Sequence, residues 1–298
     1  MQTTITRFGV SVLCLLGVAS LLACSSTPDS GPGGPATSVE PTPSLSIVDI
    51  EDAGDEFDDP AGLADWAVMQ GDLPTNETST YDVGRTQAGA LTVVAGQMTW
   101  VDSRRGFFLS KDIRGDFAVT VRVLAAGRAG PSPTVDWSLT GLLMRAPTVE
   151  GGRENWVGYT VGYMGRLITE RKTTRGSRSI LRLEEVQPGW IELRAARLGE
   201  LIVLLRRQEG YDWVLEGAYS RPDLPEVLQV GINAGTGAGP ADLVCTVDWI
   251  RFARPDVPTD LVARTVDALH LPRREDGNGV SPRDLELVRD DLMPYLVD

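Results

Sequence analysis

Tryptophan is the residue type with the clearest chemical potential in this sequence of 298 residues, which contains seven of them. A tryptophan ring on an open surface can stack against a sugar ring, whereas a buried ring belongs to the core. Trp156 alternates with Gly158 and Thr160, so we expect no bulky side chain on its own strand to cover it. Trp137 follows a proline-containing loop at 130–134. These two are the predicted stacking residues, and the four predicted to be core are Trp66, Trp190, Trp213 and Trp249.

Three charged residues on predicted strands could supply hydrogen bonds to the same ligand. Arg145 precedes the strand of Trp156, and Glu170 and Arg194 could project from neighbouring strands and pair with it. A structural ion pair explains these residues equally well, since such pairs are common at protein surfaces. The glycines and threonine beside Trp156 leave room either for a packed side chain or for a ligand. Both interpretations remain open for Arg145, Glu170 and Arg194.

Glycoside hydrolysis would require two carboxyl groups facing each other across a groove, about 5 to 9 Å apart. No predicted strand carries acidic residues in the alternating pattern that places such a pair. Glu170 and Glu192 are the only strand acids that we place near a groove. Arg171 and Arg194 lie close to them in sequence and favour their ionised forms, which are poor general acids. We therefore predict no catalytic residue and no polysaccharide hydrolysis.

Few residues are suited to metal binding or nucleophilic chemistry. With His270 as its single histidine, the chain cannot build a multi-histidine zinc site, and we predict no metal centre. Cys245 lies in a β-type run and is predicted to be a buried, unreactive thiol. A structural calcium ion is the one cofactor left open, because acidic oxygen ligands cluster at 55–59 and at 275–280. A solvated or packed segment is the competing explanation in both places.

The formal net charge of -13 disfavours nucleic acid and anionic lipid surfaces as partners of the folded part. Such partners are bound by clustered lysine and arginine, which displace counterions. We recognise no basic patch in the sequence and predict no nucleic-acid partner.

The N-terminus has the organisation of a lipoprotein signal peptide. Arg7 precedes an apolar segment at 9–22, which is too short to span a membrane and ends just before Cys24. This predicts a signal peptide at 1–23, with Cys24 acylated as the new N-terminus and membrane anchor. An ordinary secretory peptide, with Cys24 incidental, is the alternative. Ser25 is permissive for outer-membrane sorting in a host with two membranes. Residues 24–54 are rich in Ser, Pro and acid and are predicted to be an extended tether.

Residues 55–253 form a series of short β-type runs separated by Gly, Pro, Asp and Asn, which predicts an all-β domain. Val157, Tyr159 and Val161 alternate with small residues, as expected of a strand with one buried face. The spacing of the runs is typical of a two-sheet sandwich or jelly roll. The predicted strands are 90–94, 107–109, 117–124, 141–145, 156–163, 166–171, 190–196, 201–207, 213–219, 228–234 and 245–252.

The C-terminal segment 254–298 changes character. Leu261, Val262, Val266 and Leu269 have helical spacing, and Ser281 followed by Pro282 is typical of the start of a second helix. We predict a short helical hairpin that packs on the domain or docks a partner.

Several short motifs occur in a recognisable order: FDDP at 57–60, GDF at 115–117, GLLMR at 141–145, NWV at 155–157 and PEV at 225–227. Together they resemble the concanavalin A-like lectin/glucanase superfamily and, within it, the bacterial domain of unknown function DUF1349, over about residues 55–253. The resemblance implies a two-sheet jelly roll with a concave sheet, which is often secreted and touches carbohydrate. The family often has WLRLRR where this chain has WIELRA at 190–195, so a shared ligand does not follow.

These observations lead to one main functional hypothesis. We expect a membrane-anchored, extracytoplasmic lipoprotein of the cell envelope whose β-sandwich is a non-catalytic, carbohydrate-binding module. The alternatives are a glycoside hydrolase or lyase on the same fold, and a scaffold that binds another envelope protein.

Overall fold

The computed structural model describes residues 48–71, 78–147, 150–270 and 282–297. The predicted signal peptide, Cys24, most of the predicted tether and the loop at 275–280 lie outside these ranges. None of the helices in the described ranges is long and apolar enough to cross a membrane.

Within the described ranges, fourteen strands form two antiparallel sheets of seven strands each, which confirms the predicted all-β sandwich. The front sheet has the strand order β1-β4-β13-β6-β7-β8-β9 and the back sheet the order β12-β11-β10-β5-β14-β3-β2. The strands are β1 (Ala67–Met69), β2 (Thr80–Val83), β3 (Leu91–Val94), β4 (Phe107–Arg114), β5 (Phe117–Gly127), β6 (Ser138–Arg145), β7 (Trp156–Tyr163), β8 (Leu167–Arg175), β9 (Arg178–Glu185), β10 (Ile191–Leu198), β11 (Leu201–Gln208), β12 (Val214–Ser220), β13 (Val227–Thr236) and β14 (Leu243–Ala253).

The main core lies between the two sheets and is built from alternate residues of their strands. Val157, Tyr159 and Val161 of β7 point into it, as their alternation predicts. Cys245 of β14 also lies there, fully buried, and accepts a hydrogen bond from Thr140. Burial raises the pKa of its thiol to about 12, despite the opposing hydrogen bond from Thr140. Cys245 is therefore an unreactive thiol at neutral pH, as predicted.

The sandwich begins earlier than the predicted boundary at residue 55. Ile50 and Ala53 are buried in the main core, and Asp55 pairs with Ile250 of β14 through backbone hydrogen bonds. Within the acidic run, Asp59 caps a short 3-10 helix at Pro60–Asp65. The chain from about residue 48 onward is thus part of the folded domain rather than of an extended tether.

Two C-terminal helices, α1 (Thr259–His270) and α2 (Pro282–Leu296), confirm the predicted hairpin. They cover part of the outer face of the back sheet, where Leu261, Val288 and Leu292 pack on Val203 and Ala218. The helices therefore complete a second apolar cluster. Without them, these apolar residues on the outer face of the back sheet would be exposed to water.

The four tryptophans predicted to be core have different environments. Trp66 is buried in the main core and Trp213 beneath the hairpin. Trp190 and Trp249 are only partly buried, each with an arginine over its ring, namely Arg122 and Arg251 respectively. The prediction was wrong for the latter two, because arginine side chains rather than core residues cover their rings.

A connecting segment, residues 95–106, leads from β3 of the back sheet to β4 of the front sheet. We call this segment the strap because, after Ala95 and Met98 in the main core, it crosses the outer face of the front sheet from Trp100 onward. There its Trp100 packs edge-on against Trp156 and Phe108, with ring centroids 5.9 and 5.8 Å away. The backbone amide of Asp102 donates to Ser179 of β9, at the far edge of the sheet. The strap thus covers much of the face that the sequence analysis expected to be open.

Candidate functional site

A small pocket remains beside the strap on the outer face of the front sheet, with a cavity volume of about 20 Å³, which is room for about one water molecule. Cross-strand register places Asn233, Gly141, Thr160 and Glu170 in one row across β13, β6, β7 and β8. Gly141 adds no side chain to this row, and a Cβ atom there would lie 2.5 Å from the backbone carbonyl oxygen of Tyr159, so glycine is required by close packing. The pocket is lined by Thr99, Trp100, Leu139, Thr160, Glu170, Lys172, Asn233, Ala234 and Gly235.

Glu170 and Lys172 form a buried ion pair on one side of the pocket. The Lys172 Nζ to Glu170 Oε1 distance is 2.8 Å, and each side chain is 4% exposed. Lys172 also donates to the backbone carbonyl of Trp100, 3.1 Å away, and so ties the strap to β8. Burial raises the pKa of the Glu170 carboxyl, although the charge and hydrogen bond of Lys172 oppose the rise.

The sequence analysis excluded Glu170 as a general acid because Arg171 would favour its ionised form, and this argument is wrong. Arg171, its neighbour in sequence, points to the opposite side of the sheet because side chains alternate along a strand. There its Nη2 atom lies 3.0 Å from Glu184. Arg171 therefore does not hold Glu170 in the ionised form; Lys172 is its charged partner.

Three buried polar atoms of the pocket-lining residues lack a hydrogen-bond partner among the described residues. They are Thr160 Oγ1, Glu170 Oε2 and Asn233 Oδ1. An unmet buried polar group costs about 1–3 kcal/mol, so protein pockets of this kind are filled by water or by a ligand. All three atoms can accept a hydrogen bond, and the threonine hydroxyl can also donate one.

Trp137 supplies an aromatic ring close to this pocket. The Lys172 Nζ atom lies 5.7 Å from the centroid of its ring. Trp137 is partly buried and has a φ angle of 62°, an uncommon backbone conformation for a residue other than glycine. Two of the predicted binding residues, Trp137 and Glu170, are thus brought near each other through Lys172.

Trp156 is not available for stacking, contrary to the prediction. It projects from the expected face of β7 but is only 1% exposed, because Trp100, Phe108 and Leu143 enclose it. A Cβ atom at Gly158 would lie 3.4 Å from the Trp156 ring. Of the two roles left open for the small residues of this face, Gly158 therefore serves packing.

Arg145 is also a packing residue rather than an open binding group. It forms an ion pair with Glu154, which is fully buried, and donates to Gln229. Arg105 of the strap contacts the same carboxylate at 2.7 Å. The partner of Arg145 is therefore Glu154 and not the predicted Glu170, and the shared carboxylate fastens the strap to the sheet.

Arg194 lies in the other sheet, so the prediction that it could join Glu170 was wrong. Its side chain donates to Thr120 on β5 and to the backbone carbonyl of Leu296 in α2, and it lies over the Trp213 ring. The position of Arg194 could not be read from sequence order. Its strand, β10, follows β9 of the front sheet in sequence but pairs with β5 and β11 in the back sheet.

The pocket is poorly suited to the two-carboxylate chemistry of glycoside hydrolases. Glu170 is the one carboxylate among its described lining residues. Glu192, the second acid considered, lies in the back sheet and pairs with Arg207 at 2.7 Å. Within the described ranges, no group of three His, Cys, Asp or Glu residues is arranged to hold a metal ion.

Three polar side chains are among the pocket residues that sequence reasoning missed. Lys172 follows Glu170 at an interval of two, so the two side chains share a face of β8; this spacing could have identified the pair. Thr160 enters the sequence prediction only as a small residue beside Trp156. Asn233 comes from β13. It lies near β8 only because of the order of strands in the sheet, and no local sequence pattern indicates that order.

Comparisons with known proteins agree on the fold. No family model matches the sequence, and no curated protein is significantly similar to it. Among solved structures, the GH43 BlXynB protein from Bacillus licheniformis matches with a TM-score of 0.51 and 15% identity, over 68% of this chain and 39% of that one. A xylan beta-1,4-xylosidase from Bacillus halodurans C-125 matches with a TM-score of 0.50 and 14% identity, over 70% of this chain and 40% of that one.

This chain therefore spans about two fifths of the length of these two structures. At 14–15% identity the similarity shows the fold alone. The protein is a two-sheet β-sandwich whose neighbours among solved structures include glycoside hydrolase-like proteins.

Proposed function

We propose that the domain is a non-catalytic carbohydrate-binding module whose site is the pocket between Glu170, Lys172, Thr160 and Asn233. The observation that carries this proposal is the set of three unpartnered buried polar atoms in one pocket. Sugars present closely spaced hydroxyl groups that donate and accept hydrogen bonds, and such groups would satisfy these atoms.

The ring of Trp137 supports the same ligand class. An indole beside polar side chains is typical of sites that stack the apolar face of a sugar while hydrogen-bonding its hydroxyls. The strap covers the neighbouring surface, and the pocket has room for about one water molecule. A terminal sugar or a short branch would therefore reach these polar atoms with one hydroxyl group more readily than a long chain lying across the sheet would. The similarity to a xylosidase fold makes xylo-oligosaccharides a reasonable first probe.

Binding should depend on Trp137 and Glu170. We expect Trp137→Ala to weaken binding of a sugar identified on a glycan array by about 1–3 kcal/mol, which is the usual loss for a central aromatic contact. Glu170→Gln should also weaken it, because an amide accepts fewer hydrogen bonds than a carboxylate. Isothermal titration calorimetry measures both effects.

Trp249→Ala, which removes a partly buried tryptophan from the back sheet, is the matched control. It should leave affinity unchanged. Equal losses for Trp137→Ala and Trp249→Ala would contradict a site in this pocket. Release of reducing sugar by the wild-type domain, abolished by Glu170→Gln, would favour a glycoside hydrolase instead.

We further propose that the chain is a DUF1349-like lipoprotein of the cell envelope, anchored through a lipid on Cys24. The support is the sequence of the N-terminal segment, with its single basic residue, short apolar run and cysteine. A diacylated N-terminal cysteine would hold the domain at the membrane surface, since two acyl chains give stable anchoring where one does not.

Substitution of this cysteine should change where the protein is found. We expect wild-type protein in the membrane fraction, extractable with detergent, and Cys24→Ala protein either unprocessed or released. Cys14→Ala, within the predicted signal peptide, is the control and should fractionate like the wild type. Unchanged fractionation and migration of Cys24→Ala would contradict lipid attachment.

A further inference from the structure

The hairpin of β8 and β9 carries a concentration of positive charge that the sequence analysis did not recognise. Residues 166–182 contain six basic residues and one acid, in a chain whose formal net charge is -13. The basic residues are Arg166, Arg171, Lys172, Arg175, Arg178 and Arg182. Lys172 is neutralised by Glu170 on the outer face, so the remaining positive charge belongs to arginines.

Four of these arginines share the side of the hairpin that faces the back sheet. Arg171 lies directly opposite Arg182 in the pairing of β8 with β9, and Arg175 lies directly opposite Arg178. Like charges at directly opposed positions destabilise a sheet. Two such pairs in succession are therefore an unfavourable arrangement unless an anion compensates for it.

One arginine of each pair is held by the protein. Arg171 contacts Glu184 and lies against Gly217 of β12, where a Cβ atom would be 3.1 Å from its Cδ. Arg175 donates to the backbone carbonyl of Ser220 and lies 3.7 Å from Asp223. These contacts show that β8 lies over β12, an edge strand of the back sheet. They also orient the two guanidinium groups.

The other member of each pair is free. Arg178 and Arg182 are exposed, and neither forms an ion pair or side-chain hydrogen bond within the described part of the chain. They lie four residues apart on β9, the edge strand of the front sheet, and therefore about 13 Å apart along it. Charged residues commonly protect an edge strand from aggregation. That role explains exposed charge on β9, but it does not require cations to face one another across β8 and β9.

We propose that Arg171, Arg175, Arg178 and Arg182 form a second binding surface, for an acidic polysaccharide that carries uronate carboxylates. Guanidinium groups bind carboxylates through paired, charge-assisted hydrogen bonds. Here Arg178 and Arg182 have no partner among the described residues, and Arg171 and Arg175 are held beside them. This surface is on the opposite side of the hairpin from the Glu170 pocket and does not depend on it.

The sparse spacing of the free cations favours a polysaccharide over nucleic acid. Duplex DNA carries one charge for about every 1.7 Å of its axis, and its binding sites usually neutralise many phosphates. Single strands are bound with the help of exposed aromatic rings on which bases stack. The tyrosines on this face that lie near Arg171, Tyr159 and Tyr219, are 0% and 5% exposed and offer no stacking surface.

The test is binding of polygalacturonate to the purified protein at low salt, measured by affinity electrophoresis or calorimetry. Wild-type protein should bind polygalacturonate, and the double variant Arg178→Gln/Arg182→Gln should bind it about tenfold or more weakly, since two charge-assisted contacts are lost. Arg178→Lys/Arg182→Lys should retain part of the affinity. Trp137→Ala and Glu170→Gln should bind polygalacturonate like the wild type, which separates this surface from the proposed sugar pocket.

Arg254→Gln/Arg264→Gln is the matched control, because it removes two exposed arginines from elsewhere on the protein. It should leave binding unchanged. The proposal is overturned if wild-type protein does not bind polygalacturonate, if both double glutamine variants lose affinity equally, or if a DNA duplex or vesicles of anionic lipid bind as tightly as the polysaccharide. Since Arg178 and Arg182 are exposed, thermal unfolding should be unchanged in the variants.

Discussion

Replacement of Glu154 by alanine should lower the free energy of unfolding by about 3–5 kcal/mol, the range seen when one partner of a buried ion pair is removed. Glu154 is fully buried and accepts hydrogen bonds from Arg105 and from two nitrogens of Arg145. Alanine would leave Arg145, itself buried, without its anion, and would release the contact that Arg105 of the strap makes. Urea denaturation followed by tryptophan fluorescence measures this loss.

Glu226→Ala is the matched control, because it breaks the ion pair with Arg114 in which both side chains are more than half exposed. Exposed pairs contribute only about 0–1 kcal/mol. A loss at Glu154 as small as at Glu226 would show that the buried cluster does not hold the strap.

The pKa of the Glu154 carboxyl group leads to a prediction of how the stability of the domain depends on pH. Burial raises the pKa of Glu154, but hydrogen bonds and positive charge from Arg145 and then Arg105 outweigh it, so the pKa is below its ordinary value of 4.5. A lowered pKa in the folded state stabilises the fold above the unfolded-state pKa, and this stabilisation disappears as pH falls through the folded-state value. The wild type should therefore lose stability below about pH 4.5 more steeply than Glu154→Gln.

The second large effect is expected at Trp156. Trp156→Ala should destabilise the domain by about 3–5 kcal/mol, because it leaves a large cavity between the front sheet and the strap. The ring is 1% exposed and packs against Trp100 at 5.9 Å, so its removal also deprives the strap of its main apolar contact. Thermal and urea unfolding measure the change.

Trp190→Ala provides the comparison, since Trp190 is partly buried on the back sheet and covered by Arg122. We expect a clearly smaller loss of stability there. If Trp156→Ala unfolds at the same urea concentration as the wild type, the ring does not have the packing role assigned to it.

Much of the sandwich could be predicted from local sequence because its strands alternate strongly. The bounds of β7 were predicted exactly at 156–163, where valine and tyrosine alternate with small residues. The short strands β1 and β2 were missed, and so was β9, whose residues are mostly charged or partly exposed. A strand at the edge of a sheet buries little on either face and therefore lacks a clear apolar period.

The candidate site was harder to predict from sequence, because it depends on which strands are neighbours in a sheet and on which segment covers them. The side of β7 on which Trp156 projects was predicted correctly, but nothing in its own strand indicates that residues 95–106 return to cover it. The expectation that Arg194 is near Glu170 failed for a related reason, since neighbouring strands in sequence belong to different sheets. Which side chains meet is determined by the order of the strands within each sheet, and this order cannot be read from the sequence of the individual strands.

The strap also has a consequence for the order of folding events. Its contacts join residues distant in sequence: Asp102 meets Ser179 across 77 residues, and Arg105 meets Glu154 across 49. We expect these contacts to form once the front sheet is assembled, because Ser179 and Glu154 are in place to receive the strap only then. Interactions that form after the transition state affect the unfolding rate more than the folding rate. The strap should therefore govern how long the native domain persists, and its local opening would set the rate at which solutes reach the pocket beside it.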